Sequence, residues 1–293
     1  MAKANKKFKD SVFSMYFGDP KRLIELYNSI EGTSLPMDTP IEINTLDDAL
    51  FKDRINDLSF VINGEIVVLV EHQSTLNENM PVRLLLYVAR VYEKILSEDK
   101  IYKSKRIPLP TPRFVVLYNG LEPSEEYVEM SLSDSFILHD ETPMLELKVD
   151  FYNINYGKSP ELMDKCPSLS EYSTFVYYVR QNQEKGMSLN KAITVAIDQA
   201  IQNDIMKEFL TKHGSEVRNM LFEEWKWEKY AEVQKEEGRE EGRQEGRAEG
   251  WEEGRLESLK NLIRNMGFTV EQAMSALGVP ENEYSKYLGL LKE

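Results

Sequence analysis

The sequence predicts a mixed α/β fold followed by a helical C-terminal part. Two β-rich and almost wholly apolar runs, at 58–62 and 66–70, flank Asn63-Gly64, which is a strong hairpin signal. An amphipathic helical pattern and another apolar run, at 113–120, come after the hairpin. Because both hairpin strands are apolar along their whole length, we expect them to lie inside a sheet that is covered by other elements.

Two short helices are predicted ahead of the hairpin. Apolar residues recur at helical spacing in 8–16 and again in 21–30. Asp19-Pro20 supplies an N-cap and a first-turn proline for the second helix, and Gly32 is expected to end it. Residues 33–48 are rich in turn-forming residues and lead into the hairpin.

The hairpin is followed by a long helix and two further strands. Pro81 is expected to begin an amphipathic helix that ends near Leu96, and its apolar stripe is typical of a helix packed against a sheet. The apolar run at 113–120 predicts a buried strand that ends at Asn119-Gly120. Alternating apolar and polar residues at 145–155 predict one more strand.

The pattern becomes helical from about residue 168, with helices predicted at 172–181, 193–209 and 215–234. In 236–257 a glycine recurs at every fourth position, usually followed by arginine. Each glycine costs about 1 kcal/mol of helix stability relative to alanine. One interpretation is a solvated, partly helical linker, and the other is close contact between helices along the glycine stripe, which would give a homo-oligomer.

A small helical unit is predicted at the C-terminal end. The amphipathic run at 256–266 closes at Gly267, Thr269 with Gln272 forms a capping box for the next helix, and Pro280 begins the last one. Helix, short glycine turn and helix resemble a helix-turn-helix in outline. The last helix is poor in arginine, which favours a dimerising or capping unit over DNA binding. We therefore divide the chain into a core, a helical extension, a linker and a C-terminal helical unit, at 1–165, 166–234, 235–257 and 258–293.

Composition excludes several classes of protein. No run approaches the roughly 20 apolar residues of a membrane span, and the basic amino terminus lacks the apolar core of a signal peptide. The single cysteine, Cys166, forms no internal disulfide and suggests a reducing cytoplasm. The net charge of −14 argues against wholesale coating of nucleic acid. Nearly all of this charge lies after residue 110, so the part with the hairpin is close to neutral.

Carboxylates stand at the open ends of the hairpin. Asp57 precedes the first strand, Glu71 closes the second, and Gln73 leaves the same face as Glu71 while the chain stays extended. Buried carboxylates are costly unless they are paired or bind a cation, and two of them are the minimum for holding Mg²⁺. A two-residue turn would send Asp57 and Glu71 to opposite faces. The site hypothesis therefore predicts a three-residue loop or a bulge.

The sequence resembles the recombination-promoting nuclease (Rpn) family, also called the YhgA-like putative transposases, within the PD-(D/E)XK nuclease superfamily. The resemblance is carried by Asp57-Leu-Ser-Phe, Glu71-His-Gln-Ser-Thr and Asn79-Met-Pro-Val-Arg-Leu-Leu-Leu-Tyr87. It extends to Phe8-Lys-Asp-Ser-Val-Phe13, Tyr118-Asn-Gly120, Gly214-Ser-Glu-Val-Arg-Asn-Met220 and the glycine-arginine-glutamate tract. It implies a restriction-endonuclease-like (PD-(D/E)XK) core: a mixed sheet flanked by helices.

The same resemblance implies an Mg²⁺-dependent (or other divalent-cation-dependent) DNA endonuclease linked to recombination or mobile elements. Asp57 and Glu71 match the acidic metal ligands, and Gln73 stands where the superfamily usually has lysine. A neutral amide can orient water but supplies no charge. Arg83 or Lys94 on the next helix could take over that electrostatic role, and we expect Arg83 to contact phosphate. For His72 we favour a structural role as a buried imidazole.

Two other functions remain open at this stage. The protein could be a catalytically silent DNA-binding or assembly factor of a mobile element that acts through its C-terminal helices. Alternatively, the acidic C-terminal part could occupy the DNA groove and restrain the enzyme, in which case deletion of residues 235–293 would raise cleavage.

Overall fold

The protein forms two compact units, Met1–Glu224 and Trp225–Glu293. The computed structural model describes residues 11–43, 57–96, 102 and 104–291. The first unit contains a sheet with helices, and the second contains the end of a long helix and two short ones. The predicted mixed α/β class with a helical C-terminal part is therefore confirmed, whereas the boundaries predicted at 165, 234 and 257 stay predictions. Within the described ranges, no helix is both long and apolar enough to cross a membrane.

Six strands of the described residues form one mixed sheet. They are β1 (Ile41–Ile43), β2 (Asp57–Ile62), β3 (Ile66–Gln73), β4 (Thr111–Tyr118), β5 (Tyr127–Ser131) and β6 (Lys148–Asn153). The order across the sheet is β1-β2-β3-β4-β6-β5. β1, β2 and β3 pair antiparallel, β3, β4 and β6 pair parallel, and β5 is antiparallel to β6. The carboxyl ends of β3, β4 and β6 therefore lie at one edge of the sheet.

Helices of the first unit cover both faces of this sheet. In chain order, the α-helices of the described residues are α1 (Val12–Phe17), α2 (Pro20–Glu31), α3 (Met80–Ile95), α4 (Pro160–Lys165), α5 (Pro167–Glu184), α6 (Leu189–Gln202), α7 (Lys207–Met266), α8 (Val270–Ala276) and α9 (Tyr284–Leu290). Leu84 and Val88 of α3 pack against Val67, Leu69 and Val116 on one face. Helices α1, α2 and α5 lie on the opposite face.

Local signals predicted several element ends correctly. The Asp19 side chain accepts a hydrogen bond from the Lys21 N–H at the start of α2, and Gly32 ends that helix with φ +65°. The hairpin strands and α3 lie where the sequence placed them, although α3 begins one residue before Pro81. The capping box of Thr269 and Gln272 is also present at the start of α8.

Two strands were not predicted, and one predicted helix was wrong. The unpredicted strands are β1, which lies inside the turn-rich segment 33–48, and β5. The single helix predicted at 193–209 is two helices, because Asp204 and Met206 adopt positive φ between α6 and α7. The Met206 N–H there donates to the Glu171 carboxylate on α5 at 3.2 Å, which stabilises the break.

The glycine-rich tract is helical throughout, as part of the 60-residue helix α7. This differs from the partly helical linker that the cost of glycine suggested. A Cβ built on Gly238, Gly242, Gly246, Gly250 or Gly254 would meet nothing within 4 Å in the described chain. The stripe therefore makes no close contact with the described residues, and contact between two copies stays a prediction.

Candidate active site

The loop of the β2–β3 hairpin has three residues. Ile62 pairs with Ile66, so Asn63, Gly64 and Glu65 lie between the strands. Asn63 and Gly64 both have positive φ, at 51° and 69°, and the Glu65 N–H donates to the Ile62 carbonyl at 2.9 Å. Positive φ at both central residues is the mark of a type I′ turn. Glu65 is the additional residue that shifts the register by one.

This register places positions 57 and 71 opposite each other. Asp57 pairs with Glu71, and residues that pair directly in an antiparallel ladder lie on the same face of the sheet. The site hypothesis required a three-residue loop or a bulge to bring these two positions to one face, and the loop has three residues. The side chain of Asp57 lies outside the described residues, so the position alone is established. Gln73, two residues beyond Glu71 on β3, lies on the same face.

Helix α3 brings a cation to this face. Arg83, in the first turns of α3, donates through Nη2 to Oε1 of Glu71 at 2.6 Å and to the Tyr87 hydroxyl at 3.1 Å. The Glu71 side chain is only 4% exposed and that of Arg83 12% exposed, so the pair is buried. Lys94 lies three turns further along α3. Of the two predicted compensating cations, Arg83 is therefore the one at the site.

Three polar atoms on this face are buried without a hydrogen-bond partner among the described residues: Glu71 Oε2, Gln73 Nε2 and Ser59 Oγ. A buried group left unpaired costs about 1–3 kcal/mol, more if it is charged. Glu71 and Gln73 stand two residues apart on β3, and Ser59 lies opposite Leu69 on the same face. Unpaired buried atoms on one face indicate that a ligand or water belongs there. Sequence reasoning missed Ser59, although a serine in an apolar strand, two residues after Asp57 and on the same face, was a usable signal.

These residues fit a hard divalent cation with few protein ligands. Among the described side chains, no group of three or more His, Cys, Asp or Glu residues is arranged to hold a metal. A cation here would have the free Glu71 oxygen and the carboxylate of Asp57, with water completing its shell. Mg²⁺ typically binds in this way, through one or two carboxylates and several waters.

His72 belongs to the opposite face and does not join the site. Its ring stacks on Phe13 with centroids 4.3 Å apart, and its Nε2 lies 3.4 Å from the Tyr172 hydroxyl. Burial, and secondarily the positive charge of Arg180, lower the pKa of His72 from 6.5 to about 3. The imidazole is therefore neutral, in line with a structural role, although its Nδ1 lacks a partner in the described part of the chain.

The depressed pKa of His72 predicts a pH-dependent stability. The unfolded chain binds the proton below about pH 6.5, whereas the folded protein does so only near pH 3. The stabilisation is therefore present above pH 6.5 and is lost as the pH falls, by about 1.4 kcal/mol per unit. Urea unfolding between pH 6.5 and 4 measures how the free energy of unfolding changes with pH. We expect His72→Gln to remove the part of this slope that comes from the imidazole. Equal slopes for wild type and variant would contradict the buried neutral imidazole.

Comparison with known families shows which family the chain belongs to. The family model described as "Putative transposase, YhgA-like" matches residues 44–221, a range that contains strands β2 to β6 and helices α3 to α6. No curated protein and no solved structure matches the chain. The match covers more than half of the sequence and includes Asp57, Glu71, Gln73 and Arg83. The chain therefore belongs to the YhgA-like putative transposase family.

Proposed function

We propose that the protein is a metal-dependent DNA endonuclease linked to recombination or mobile elements. Membership of a transposase-like family supports the processing of nucleic acid. The observation that carries the proposal is the Glu71 carboxylate. One of its oxygens is bound by Arg83, the other is buried without a partner in the described chain, and position 57 lies directly opposite. This arrangement supports a cation shared by two carboxylates.

The sheet also supports the restriction-endonuclease-like (PD-(D/E)XK) core that the resemblance implies. An antiparallel hairpin, β2–β3, is followed by the helix α3, which crosses over to the parallel strand β4. The acidic positions fall at the open end of the hairpin, at the edge where the parallel strands β3 and β4 end. Ligands of open α/β sheets bind outside the carboxyl ends of the strands.

Asp57 and Glu71 would hold the cation, which fits Mg²⁺ or a similar hard divalent ion. When bound, the ion would lower the pKa of a water ligand and stabilise negative charge on the phosphoryl group. The chain's own residues would orient the reactants. Arg83 fixes one oxygen of Glu71 and so leaves the second for the ion.

Gln73 would orient the attacking water, because its amide both donates and accepts hydrogen bonds. It cannot supply the positive charge that a lysine would bring to the transition state, so the charge at the site comes from the cation and Arg83. Because a guanidinium has five N–H donors, the bond of Arg83 to Glu71 does not exclude the predicted contact of Arg83 with phosphate.

The rival function is a catalytically silent DNA-binding or assembly factor that acts through the C-terminal helices. Its DNA-binding form gains little support from the second unit. The Lys286 ammonium of α9 pairs with Glu252, and Arg255 of α7 pairs with Glu283 at 3.7 Å. Arg255 also donates to the backbone carbonyl of Gly278 at 3.0 Å, which ties α7 to the turn after α8. These cations serve the packing of the unit, which favours a structural role for it.

Metal-dependent cleavage by the wild-type protein is the test of the proposed function. We expect supercoiled plasmid to be nicked in the presence of Mg²⁺ and left intact when EDTA is in excess, because the carboxylates alone cannot stabilise the developing charge. A parallel incubation with Mg²⁺ and no protein gives the background. Nicking that proceeds equally well in EDTA would overturn the proposal.

A further inference from the structure

Ser59 is a buried polar residue in an otherwise apolar part of the sheet. It lies on β2 between Asp57 and Val61, on the face that α3 covers, and it pairs with Leu69 of β3. Only 2% of Ser59 is exposed, and its hydroxyl oxygen is buried. Packing among apolar neighbours therefore gives no reason for a hydroxyl at this position.

The hydroxyl of Ser59 makes no hydrogen bond to any described residue. Other buried serines do use theirs: Ser29 Oγ donates to the Glu25 carbonyl at 2.7 Å. Likewise, Ser159 Oγ donates to the Asn153 carbonyl at 2.8 Å. A serine in a helix can bond the carbonyl of the preceding turn, whereas the backbone groups of β2 and β3 are taken up by pairing between the strands. Because a buried hydroxyl without a partner costs free energy, Ser59 indicates a polar ligand at this position.

Ser59 lies next to both acidic positions on this face. Asp57 is two residues away on the same strand, about 7 Å between Cα atoms, because a strand rises about 3.3 Å per residue. Glu71 is the diagonal neighbour on β3, also about 7–8 Å away. Glu71 Oε2 and Ser59 Oγ both lack a partner among the described residues, so they do not bond each other. A separation of this size suits two polar groups that are joined through water.

The chemistry of these groups suits the water shell of a cation. A carboxylate oxygen such as Glu71 Oε2 only accepts hydrogen bonds, whereas the Ser59 hydroxyl both donates and accepts. Mg²⁺ keeps several of its waters, and residues that bond its outer shell orient the ligands and tune the affinity for the ion. Val61 and Leu69, beside Ser59, belong to the hydrophobic core. A cation at Asp57 and Glu71 would therefore have the Ser59 hydroxyl on its core side.

We propose that Ser59 is a positioning residue of the metal site, whose hydroxyl bonds a water of the cation's shell and so raises the affinity for the ion. This inference rests on the proposed function, because it assigns Ser59 to the same cation. Since the two carboxylates remain, loss of the hydroxyl is expected to weaken metal binding without abolishing it. The alternative is a structural water that bridges Ser59 and Glu71 whether or not a cation is bound.

The test measures two properties of the full-length protein: its affinity for Mg²⁺ by calorimetry without DNA, and its urea unfolding in EDTA. Ser59→Ala is expected to lower the affinity by about 10–100-fold, as is typical for residues that hold the outer shell of a metal. The urea midpoint in EDTA should stay the same or rise, because a methyl group suits the apolar neighbours and replaces a hydroxyl without a partner among the described residues. Ser59→Thr keeps a hydroxyl on a side chain that suits a strand, and should retain most of the affinity.

Ser173→Ala is the matched control. Ser173 is also buried, and its hydroxyl has no partner in the described part of the chain, but it lies on α5 at the opposite face of the sheet. Its replacement should leave the affinity for Mg²⁺ unchanged. If Ser59→Ala binds Mg²⁺ as tightly as the wild type, the inference is wrong. A loss of stability of Ser59→Ala in EDTA would show that the hydroxyl serves the fold, and would also overturn it. A wild-type protein that binds no Mg²⁺ would instead contradict the proposed function, and this inference with it.

Discussion

Glu71→Gln is expected to lower metal-dependent DNA cleavage on the order of 10³-fold. The substitution keeps the shape of the side chain but removes the charge that would hold the cation, and a bound cation supplies several kcal/mol of transition-state stabilisation. Because each 1.36 kcal/mol corresponds to a tenfold change in rate, a loss of about 4 kcal/mol gives this factor. Asp57→Asn should lower cleavage to a similar extent, since position 57 lies opposite Glu71. Plasmid nicking with time measures both.

Glu65→Gln is the matched control for these two variants. Glu65 is an exposed residue in the loop of the same hairpin, at the end away from the site, and its replacement should leave cleavage unchanged. Glu71→Gln also leaves Arg83 without its ion-pair partner. Thermal unfolding of the same samples therefore has to show that the variant is folded at the assay temperature. Full activity in folded Glu71→Gln would exclude a catalytic role for this carboxylate.

Arg83→Gln is expected to destabilise the protein by about 3–5 kcal/mol, because it leaves the buried Glu71 carboxylate without a counter-charge. The matched control is Arg113→Gln. Arg113 bonds Glu31 at 2.7 Å, a length close to that of the Arg83–Glu71 pair, but its side chain is 40% exposed. Exposed pairs contribute about 0.2–1 kcal/mol, so the control should lose little. Urea unfolding of the three proteins in EDTA gives the comparison.

Mg²⁺ should restore part of the stability that Arg83→Gln loses. A cation that binds the folded protein stabilises it, by about 2.7 kcal/mol at a concentration 100 times its dissociation constant. In Arg83→Gln the cation would also neutralise Glu71. Equal losses of unfolding free energy in Arg83→Gln and Arg113→Gln would contradict the buried ion pair. An unfolding free energy of Arg83→Gln that does not change with Mg²⁺ would contradict the metal site beside it.

Much of the fold follows from local sequence signals. The hairpin, the first turn of α2 and the start of α8 were predictable because Asn63-Gly64, Asp19-Pro20 and the Thr269–Gln272 capping box act within a few residues. β1 and β5 were not, because they are short strands at the two edges of the sheet, with three and five residues, and depend on pairing with a neighbour. At the break between α6 and α7, the Met206 N–H bonds Glu171, which is far away in sequence, so no local pattern indicates this contact.

The site was predictable only in part. The sequence shows that the carboxylates of Asp57 and Glu71 stand at strand ends. That these two positions lie on one face depends on Glu65, the third residue of the loop. The ion pair between Arg83 and Glu71 joins a helix to a strand, and no local pattern reveals such a contact.

Isothermal titration calorimetry of the protein with Mg²⁺, in the absence of DNA, tests most directly whether Asp57 and Glu71 share a cation. The wild-type protein is expected to bind one ion at this site, and both Asp57→Asn and Glu71→Gln to lose that binding, whereas Glu65→Gln retains it. Binding of Mg²⁺ that is the same in the wild type and in both carboxylate variants would show that Asp57 and Glu71 do not hold the ion.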